Sequence, residues 1–124
     1  MQPWIMIQTG MVTGWEDKMN IREELGKRML FFDGGLGSLL QARGLKPGEL
    51  PETWNLSKPE ELLAIHKEYL EAGADIILAN TFGANRFKYD HLQEIVEAAV
   101  SHARHAVESC GRDAYVAMDI GPTG

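Results

Sequence analysis

The stretch Phe31–Ser38, FFDGGLGS, places one carboxylate at the end of an apolar run and follows it with glycines at positions 34, 35 and 37. A carboxylate at the end of a buried strand can hold a substrate ammonium group, and glycines let a ligand or a backbone segment approach closely. Asp33 is therefore the first candidate for a functional residue. It could equally begin a turn or cap the following helix, and the residue pattern leaves both interpretations open.

Glycine-rich loops also bind nucleotide phosphates, but this loop fits neither common pattern. A dinucleotide-binding G-x-G-x-x-G that began at Gly35 would need glycine at position 40, which is leucine. No Lys-Ser or Lys-Thr pair follows, so the phosphate-loop pattern of nucleotide hydrolases is absent as well. Two further stretches, NTFGAN (80–85) and GPTG (121–124), offer hydrogen-bonding groups, although both are ordinary turn sequences.

The histidines and the single cysteine are weaker candidates. His102 and His105 are three residues apart on a predicted helix, where His105 points away from the apolar stripe and His102 lies at its border. We interpret this pair as a solvated face rather than a metal site. His66 is interpreted as a helix-face residue, and Cys110 as a structural cysteine at a helix end.

These candidates need a framework, and the apolar patterning predicts an α/β one. Unbroken apolar runs predict three strands, within 29–32, 74–82 and 114–120. Apolar periodicity and end signals predict helices over 21–27, 37–44, 57–73 and 89–110. The order of strands and helices predicts a parallel sheet, whose carboxyl ends would bring the polar stretches to one edge. Residues 45–55 are predicted to be loop, and Ser57 with Glu60 a capping box.

Composition narrows the class of protein. The chain has 124 residues, 44% of them apolar, and a formal net charge of −6, which argues against nucleic-acid or anionic-membrane partners. One cysteine allows no internal disulfide, so we predict a reducing, cytoplasmic setting. The composition changes at Met19, and residues 1–18 are interpreted as an N-terminal extension, unstructured or produced by a misplaced start codon.

Three blocks in this order carry a family resemblance: FFDGGLGSLLQARG, WNLSKPEELLAIHKEYLEAGADIILANTFGAN and DIGPTG. From Met19 to Gly124 the chain resembles the N-terminal part of the homocysteine S-methyltransferase family, and most of all the homocysteine-binding domain of cobalamin-dependent methionine synthases. The resemblance implies a (β/α)₈ barrel, of which this chain would hold about three βα units. It also implies methyl transfer to the homocysteine sulfur, with the thiol on a zinc ion that three cysteines hold.

The resemblance also assigns residues. It implies that Asp33 contacts the homocysteine amino group and that Gly34 and Gly35 let the substrate lie against the backbone. The ends of the second and third strands would line the same pocket, with the residues Thr81, Phe82, Gly121, Pro122 and Thr123.

The departures from the family pattern limit what the chain can do. The zinc cysteines of the family lie in later strands, and Cys110 is not at a ligand position, so zinc ligands are predicted to be absent from this chain. A complete barrel takes about 250 residues. We therefore expect a fragment that is inactive alone, poorly stable and prone to self-association.

The methyl donor and the state of the chain stay open. The methionine synthase type implies methylcobalamin, charged by methyltetrahydrofolate, as the donor. Betaine or S-methylmethionine are alternatives. A short subunit that needs a partner chain, or a remnant without function, are the alternatives to an enzyme fragment.

Overall fold

The computed structural model describes residues 20–122, so the predicted extension over 1–18 and Thr123 lie outside the described residues. The chain divides into two compact units, Met1–Leu30 and Phe31–Gly124. The described part of the first unit contains helix α1, Ile21–Glu24, whose N-terminus Asn20 caps by accepting a hydrogen bond from the Arg22 N–H at 3.1 Å. The helix is shorter than the predicted 21–27.

The described part of the second unit is an α/β arrangement. Its elements are α2 (Gly37–Ala42), a 3₁₀ helix (Pro51–Thr53), α3 (Trp54–Ser57), α4 (Pro59–Glu71), β1 (Ile76–Ala79), α5 (Leu92–Cys110) and β2 (Tyr115–Met118). Strands β1 and β2 pair in parallel, with Ile76 opposite Tyr115. On its other edge β1 meets Phe32 through an isolated parallel bridge to Ile76. The predicted parallel pairing is confirmed.

The predicted first strand over 29–32 is wrong in extent and in burial. Of residues 29–32 only Phe32 bridges to β1, and Phe31 and Phe32 are 57% and 60% exposed rather than buried on both faces. The ladder is short at its amino end because the Phe31 N–H donates to the Asp75 side chain, at 3.0 Å from Oδ2, rather than to a backbone carbonyl. At the carboxyl end the ladder stops before Asp33, as predicted, and the Leu78 N–H donates to the Asp33 side chain, at 3.1 Å from Oδ2. A carboxylate oxygen there takes the partner that a backbone carbonyl would have in a continued parallel strand.

The predicted loop over 45–55 is also wrong in part, because its second half is helical. Pro51 begins the 3₁₀ helix, where its missing N–H costs nothing. Trp54 begins α3 and is fully buried, with its indole N–H donating to Glu49 at 2.9 Å. The predicted capping box is absent: Ser57 belongs to α3, and its hydroxyl donates to the Thr53 carbonyl at 3.1 Å.

The two long helices follow their patterning closely. Helix α4 begins at Pro59 with two glutamates in its first turn, and buries Leu62, Ile65 and Leu70. Helix α5 buries most of its predicted apolar stripe, with Leu92 and Val96 only half-buried, and is followed by Gly111, whose φ of 68° is the left-handed conformation favoured after a helix.

The histidines lie mostly where the helical pattern put them. His105 is exposed, as predicted, and His66, which was interpreted as a helix-face residue, lies on the buried face of α4. Burial, with a smaller contribution from His102, lowers the pKa of His66 to about 4, so this ring is neutral near pH 7.

Candidate functional site at the carboxyl ends of the strands

A cavity of about 340 Å³ lies at the carboxyl ends of the Phe32 segment and β1. Backbone and side chains of three regions form its wall: the turn after Phe32, the start of the 3₁₀ helix and the residues that end β1. The lining residues are Asp33, Gly34, Gly35, Leu36, Gly37, Leu40, Pro51, Glu52, Leu78, Ala79, Asn80, Thr81, Phe82 and Asp119. Of the three polar stretches predicted to meet at this sheet edge, those after Phe32 and after β1 line the cavity, whereas Gly121 and Pro122 do not.

Asp33 is held in place by one of its two carboxylate oxygens. Oδ2 accepts the Leu78 N–H, whereas Oδ1 is buried and has no hydrogen-bond partner in the described part of the chain. Burial raises the pKa of Asp33 above 3.8, against the lowering effect of the Leu78 N–H, and the charge of Asp119 adds to the rise. A buried acceptor without a donor is costly, so this oxygen is suited to a ligand that brings an N–H or O–H.

The charges around the cavity have one sign. Asp33, Glu52 and Asp119 contribute carboxyl groups to the wall, and the lining residues within 20–122 include no lysine, arginine or histidine. A cationic group is the ligand that such a wall favours, because it would compensate carboxylates that have no counterion among the described lining residues. The geometry therefore fits an ammonium group better than a phosphate or a carboxylate.

Tyr69 on α4 contacts the turn that carries Asp33. Its hydroxyl donates to the Gly35 carbonyl at 2.7 Å. A Cβ at Gly34 would lie 2.9 Å from that hydroxyl oxygen, whereas one at Gly35 would meet only the Ser38 Oγ at 3.4 Å. The absent side chain at position 34 thus makes room for a tyrosine, which is a packing reason besides any approach of substrate.

Glu52 is a site residue that the sequence did not reveal, because it lies in the segment predicted to be loop. It is 3% exposed, and its carboxylate accepts the Gly83 N–H at 2.5 Å and the Tyr89 O–H at 2.7 Å. Burial, followed by the hydrogen bond to Glu52, raises the pKa of Tyr89, so its hydroxyl stays protonated. Glu52 ties the 3₁₀ helix to the segment after β1; proline at the first helical position was the available signal.

A pair of buried asparagines, Asn55 and Asn80, supports the same wall. The Asn55 amide donates to the carbonyls of Asn80 and Ile95 at 2.9 and 3.2 Å. The Asn80 amide donates to Asn55 Oδ1 and to the Pro51 carbonyl at 2.9 and 3.0 Å. The sequence had suggested Asn80 as a hydrogen-bonding group, and its partners in the structure are protein atoms.

The remaining residues that the resemblance assigned lie near the cavity in different ways. Thr81 and Phe82 line it, but the Thr81 hydroxyl already donates to the Asp119 carbonyl at 2.7 Å. Gly121 is not in the lining; its N–H donates to the Phe82 carbonyl at 3.1 Å, and a Cβ there would clash with that carbonyl. Pro122 is exposed and outside the lining, and Thr123 is outside the described residues.

Within residues 20–122 no group of three histidine, cysteine or acidic side chains is arranged to hold a metal ion. His102 is instead in hydrogen-bond contact with the Asn55 carbonyl, at 2.8 Å from Nε2. The described part of the chain therefore does not fit a zinc ion by itself. Among the same residues, none of the helices has both the length and the apolar character that crossing a membrane requires.

The acidic cavity lies at the carboxyl ends of parallel strands, which is the edge where α/β enzymes place their small-molecule sites. The chain belongs to the homocysteine S-methyltransferase family, whose model matches residues 30–124.

The relatives found are enzymes much longer than this chain. It is 30% identical over 118 residues to the methionine synthase of Mycobacterium tuberculosis, a match that spans 83% of this chain and 10% of the relative. The structure is similar to that of the homocysteine methyltransferase MmuM from Escherichia coli. The metallated form gives a TM-score of 0.68 at 23% identity, over 84% of this chain and 42% of the other. The apo form gives 0.62 at 26% identity, over 85% and 40%.

Proposed function

We propose that this chain supplies the part of a homocysteine methyltransferase that holds the amino group of homocysteine, with Asp33 as the acceptor. The observation that carries the proposal is the buried Oδ1 of Asp33, which has no partner among the described residues. The carboxyl groups of Glu52 and Asp119 share the cavity wall with it. An ammonium group would supply the missing donor and the missing positive charge in one step.

The reaction we propose for the whole protein is methyl transfer to the homocysteine sulfur, which gives methionine. Family membership and the two relatives support homocysteine as the methyl acceptor. We propose the methionine synthase type, with cobalamin as methyl carrier, on the basis of the Mycobacterium tuberculosis relative. Betaine and S-methylmethionine remain the alternative donors.

Zinc would have to be held by residues outside the described range, because residues 20–122 do not fit it. Zinc therefore belongs to the proposal for the whole protein and to no residue named here. We propose that Phe31–Asp33, β1 and β2 correspond to the first three strands of a (β/α)₈ barrel, since the chain spans about two fifths of the MmuM structures.

The surface of the described residues supports the proposal that this chain is not catalytic alone. In the described part of the second unit, five large apolar side chains are 57% to 78% exposed, namely Phe31, Phe32, Phe82, Phe87 and Ile120. Exposed apolar side chains of this size commonly mark surfaces that other protein covers. Both an enzyme fragment and a subunit with a partner chain are consistent with that surface.

The ligand proposal is tested with the ¹⁵N-labelled 124-residue chain. L-Homocysteine is titrated against the chain while the amide resonance of Leu78, whose N–H donates to Asp33, is followed. The matched control ligand is 4-mercaptobutanoate, which is homocysteine without its amino group. We expect a saturable shift with homocysteine and none with the control; equal shifts from both would contradict a role for the ammonium group.

The catalytic proposal is tested separately. The chain is incubated with homocysteine and, in turn, methylcobalamin, betaine and S-methylmethionine, and methionine is measured. We expect no methionine above the protein-free control with any donor. Formation of methionine by the chain alone would refute the proposal that it needs further protein.

A further inference from the structure

The turn from Asp33 to Gly35 is attached to the rest of the unit by two hydrogen bonds. At one end the Asp33 carboxylate accepts the Leu78 N–H of β1 at 3.1 Å. At the other end the Gly35 carbonyl accepts the Tyr69 O–H at 2.7 Å. The position of the carboxylate therefore depends on α4 as well as on the sheet.

Tyr69 is itself well anchored. Its ring packs against a core cluster that comprises Leu40, Leu45, Trp54, Leu62 and Ile65. Burial, with added effects of the Asp33 and Glu68 charges, raises the pKa of Tyr69 above 10, so its hydroxyl is a donor at neutral pH. A ring fixed at its base and bonded at its tip can transmit the position of α4 to the turn.

The ring also explains the residue type at position 34. A Cβ built there would lie 2.9 Å from the Tyr69 hydroxyl oxygen and 3.2 and 3.3 Å from two ring carbons. Contacts below 3.0 Å are not tolerated without movement, and the ring can move only by leaving the Gly35 carbonyl or the core. At Gly37 a Cβ would meet nothing within 4 Å, so the restriction is specific to position 34.

We propose that Tyr69 is a positioning residue that fixes the Asp33–Gly35 turn, and that position 34 is glycine because the Tyr69 ring occupies the space of a side chain. Tyr69 acts through the turn and touches no substrate. The placement of Asp33 stands on contacts within the chain, and only its consequence for homocysteine rests on the proposed function.

The first test removes the hydroxyl alone, with Tyr69→Phe, and measures amide hydrogen exchange. We expect the Leu78 amide to exchange about tenfold faster, as the loss of one hydrogen bond allows. The Tyr115 N–H, which donates to the Asp75 carbonyl on the other edge of β1, is the internal control and should change little. Equal acceleration of both amides would mean general destabilisation and would overturn the positioning role.

The second test asks why position 34 is glycine. Gly34→Ala is made in the wild-type chain and in Tyr69→Leu, and Gly37→Ala is the matched control in both. We expect Gly34→Ala to lower the urea midpoint clearly beside tyrosine and to have little effect beside leucine, while Gly37→Ala shows no such dependence on residue 69. If Gly34→Ala costs the same in both backgrounds, Tyr69 does not dictate the glycine.

Ligand binding separates this inference from the proposed function. If homocysteine binds the wild-type chain, Tyr69→Phe should weaken that binding about tenfold, consistent with one lost hydrogen bond. If homocysteine does not bind at all, the proposed function fails. The exchange result at Leu78 still decides whether Tyr69 positions the turn.

Discussion

The two ends of the pairing between the Phe32 segment and β1 use the same device with opposite electrostatic surroundings. At the amino end, Asp75 Oδ2 accepts the Phe31 N–H at 3.0 Å; at the carboxyl end, Asp33 Oδ2 accepts the Leu78 N–H at 3.1 Å. The Arg112 Nη2 atom lies 3.8 Å from Asp75 Oδ1. The charge that acts on Asp33 is instead the negative charge of Asp119, which raises the pKa of Asp33.

This difference separates a structural carboxylate from a candidate binding one. Arg112 also donates to the Leu70 and Ala74 carbonyls, at 2.5 and 3.0 Å, so the amino end is joined to the C-terminus of α4. The carboxyl end has a cavity where the cation would be. An aspartate at the end of a strand can either stabilise the fold or bind a ligand, and the charges near it determine which of the two roles it has.

Removing the cation from the amino end should give the largest effect on stability. Arg112→Ala removes a donor from the Leu70 and Ala74 carbonyls and removes the Arg112–Asp75 ion pair. We expect a loss of about 2–3 kcal/mol in the free energy of unfolding, measured by urea denaturation. Arg112→Lys is the control and should retain part of the stability; a fully stable Arg112→Ala would end the distinction between the two ends.

Asp33→Asn should have its effect on binding rather than on stability. The asparagine oxygen can still accept the Leu78 N–H, but the charge that would hold an ammonium group is gone. We expect homocysteine binding to weaken by about 10- to 100-fold, as the loss of a charge-assisted hydrogen bond implies. Isothermal titration calorimetry checks this, beside urea denaturation of the same samples.

Asp75→Asn is the matched control for that substitution. It should lower stability by about 1 kcal/mol, because it removes a partly exposed ion pair, and leave the affinity for homocysteine unchanged in the folded chain. If Asp33→Asn and Asp75→Asn weaken homocysteine binding equally, the distinction between a binding aspartate and a structural one fails.

The pH dependence of stability should also differ between wild type and Asp33→Asn. The pKa of Asp33 is raised from 3.8 in the folded state, so between 3.8 and the raised value the folded chain binds more protons than the unfolded chain. The contribution of Asp33 to stability is therefore fully present below 3.8 and falls as pH rises through the folded pKa.

Urea denaturation below pH 3.8 and near neutrality should show this as a change in the difference between the two proteins. As pH rises, the free energy of unfolding of the wild type falls relative to that of Asp33→Asn. The change is less than about 1 kcal/mol because the carboxyl group is partly exposed. A difference that moved in the opposite direction would mean that Asp33 has a cation nearby.

The sequence predicted the framework well where long periodic patterns met clear ends. Helix α5 and its glycine stop, helix α4 after Pro59, and the parallel pairing of β1 with β2 all follow from local pattern. The predicted first strand did not hold over residues 29–31, because the side chain of Asp75 accepts the Phe31 N–H in place of a backbone carbonyl. Periodicity alone does not reveal a side chain that ends a ladder.

The candidate site was predictable only in its outline. Asp33 and Thr81 were predicted, and both line the cavity. Glu52, which is 3% exposed, was not predicted, because an acidic residue in a proline-rich segment has the sequence pattern of a solvent-exposed loop. The packing reason for Gly34 was also beyond sequence reasoning, since Tyr69 is 35 positions away along the chain and meets it only in the folded unit.

Asp119→Asn is the substitution with the smallest expected effect, and it tests how the charged surroundings of Asp33 differ from those of Asp75. The charge of Asp119 raises the pKa of Asp33, after the larger effect of burial, so neutralising it should lower that pKa while leaving it above 3.8. Carboxyl ¹³C resonances followed against pH measure the change, and Glu60→Gln, an exposed substitution on α4, is the control. If the pKa of Asp33 did not change, burial alone would account for its rise. The carboxyl end of the pairing would then differ from the amino end in lacking a cation, and not also in having a neighbouring anion.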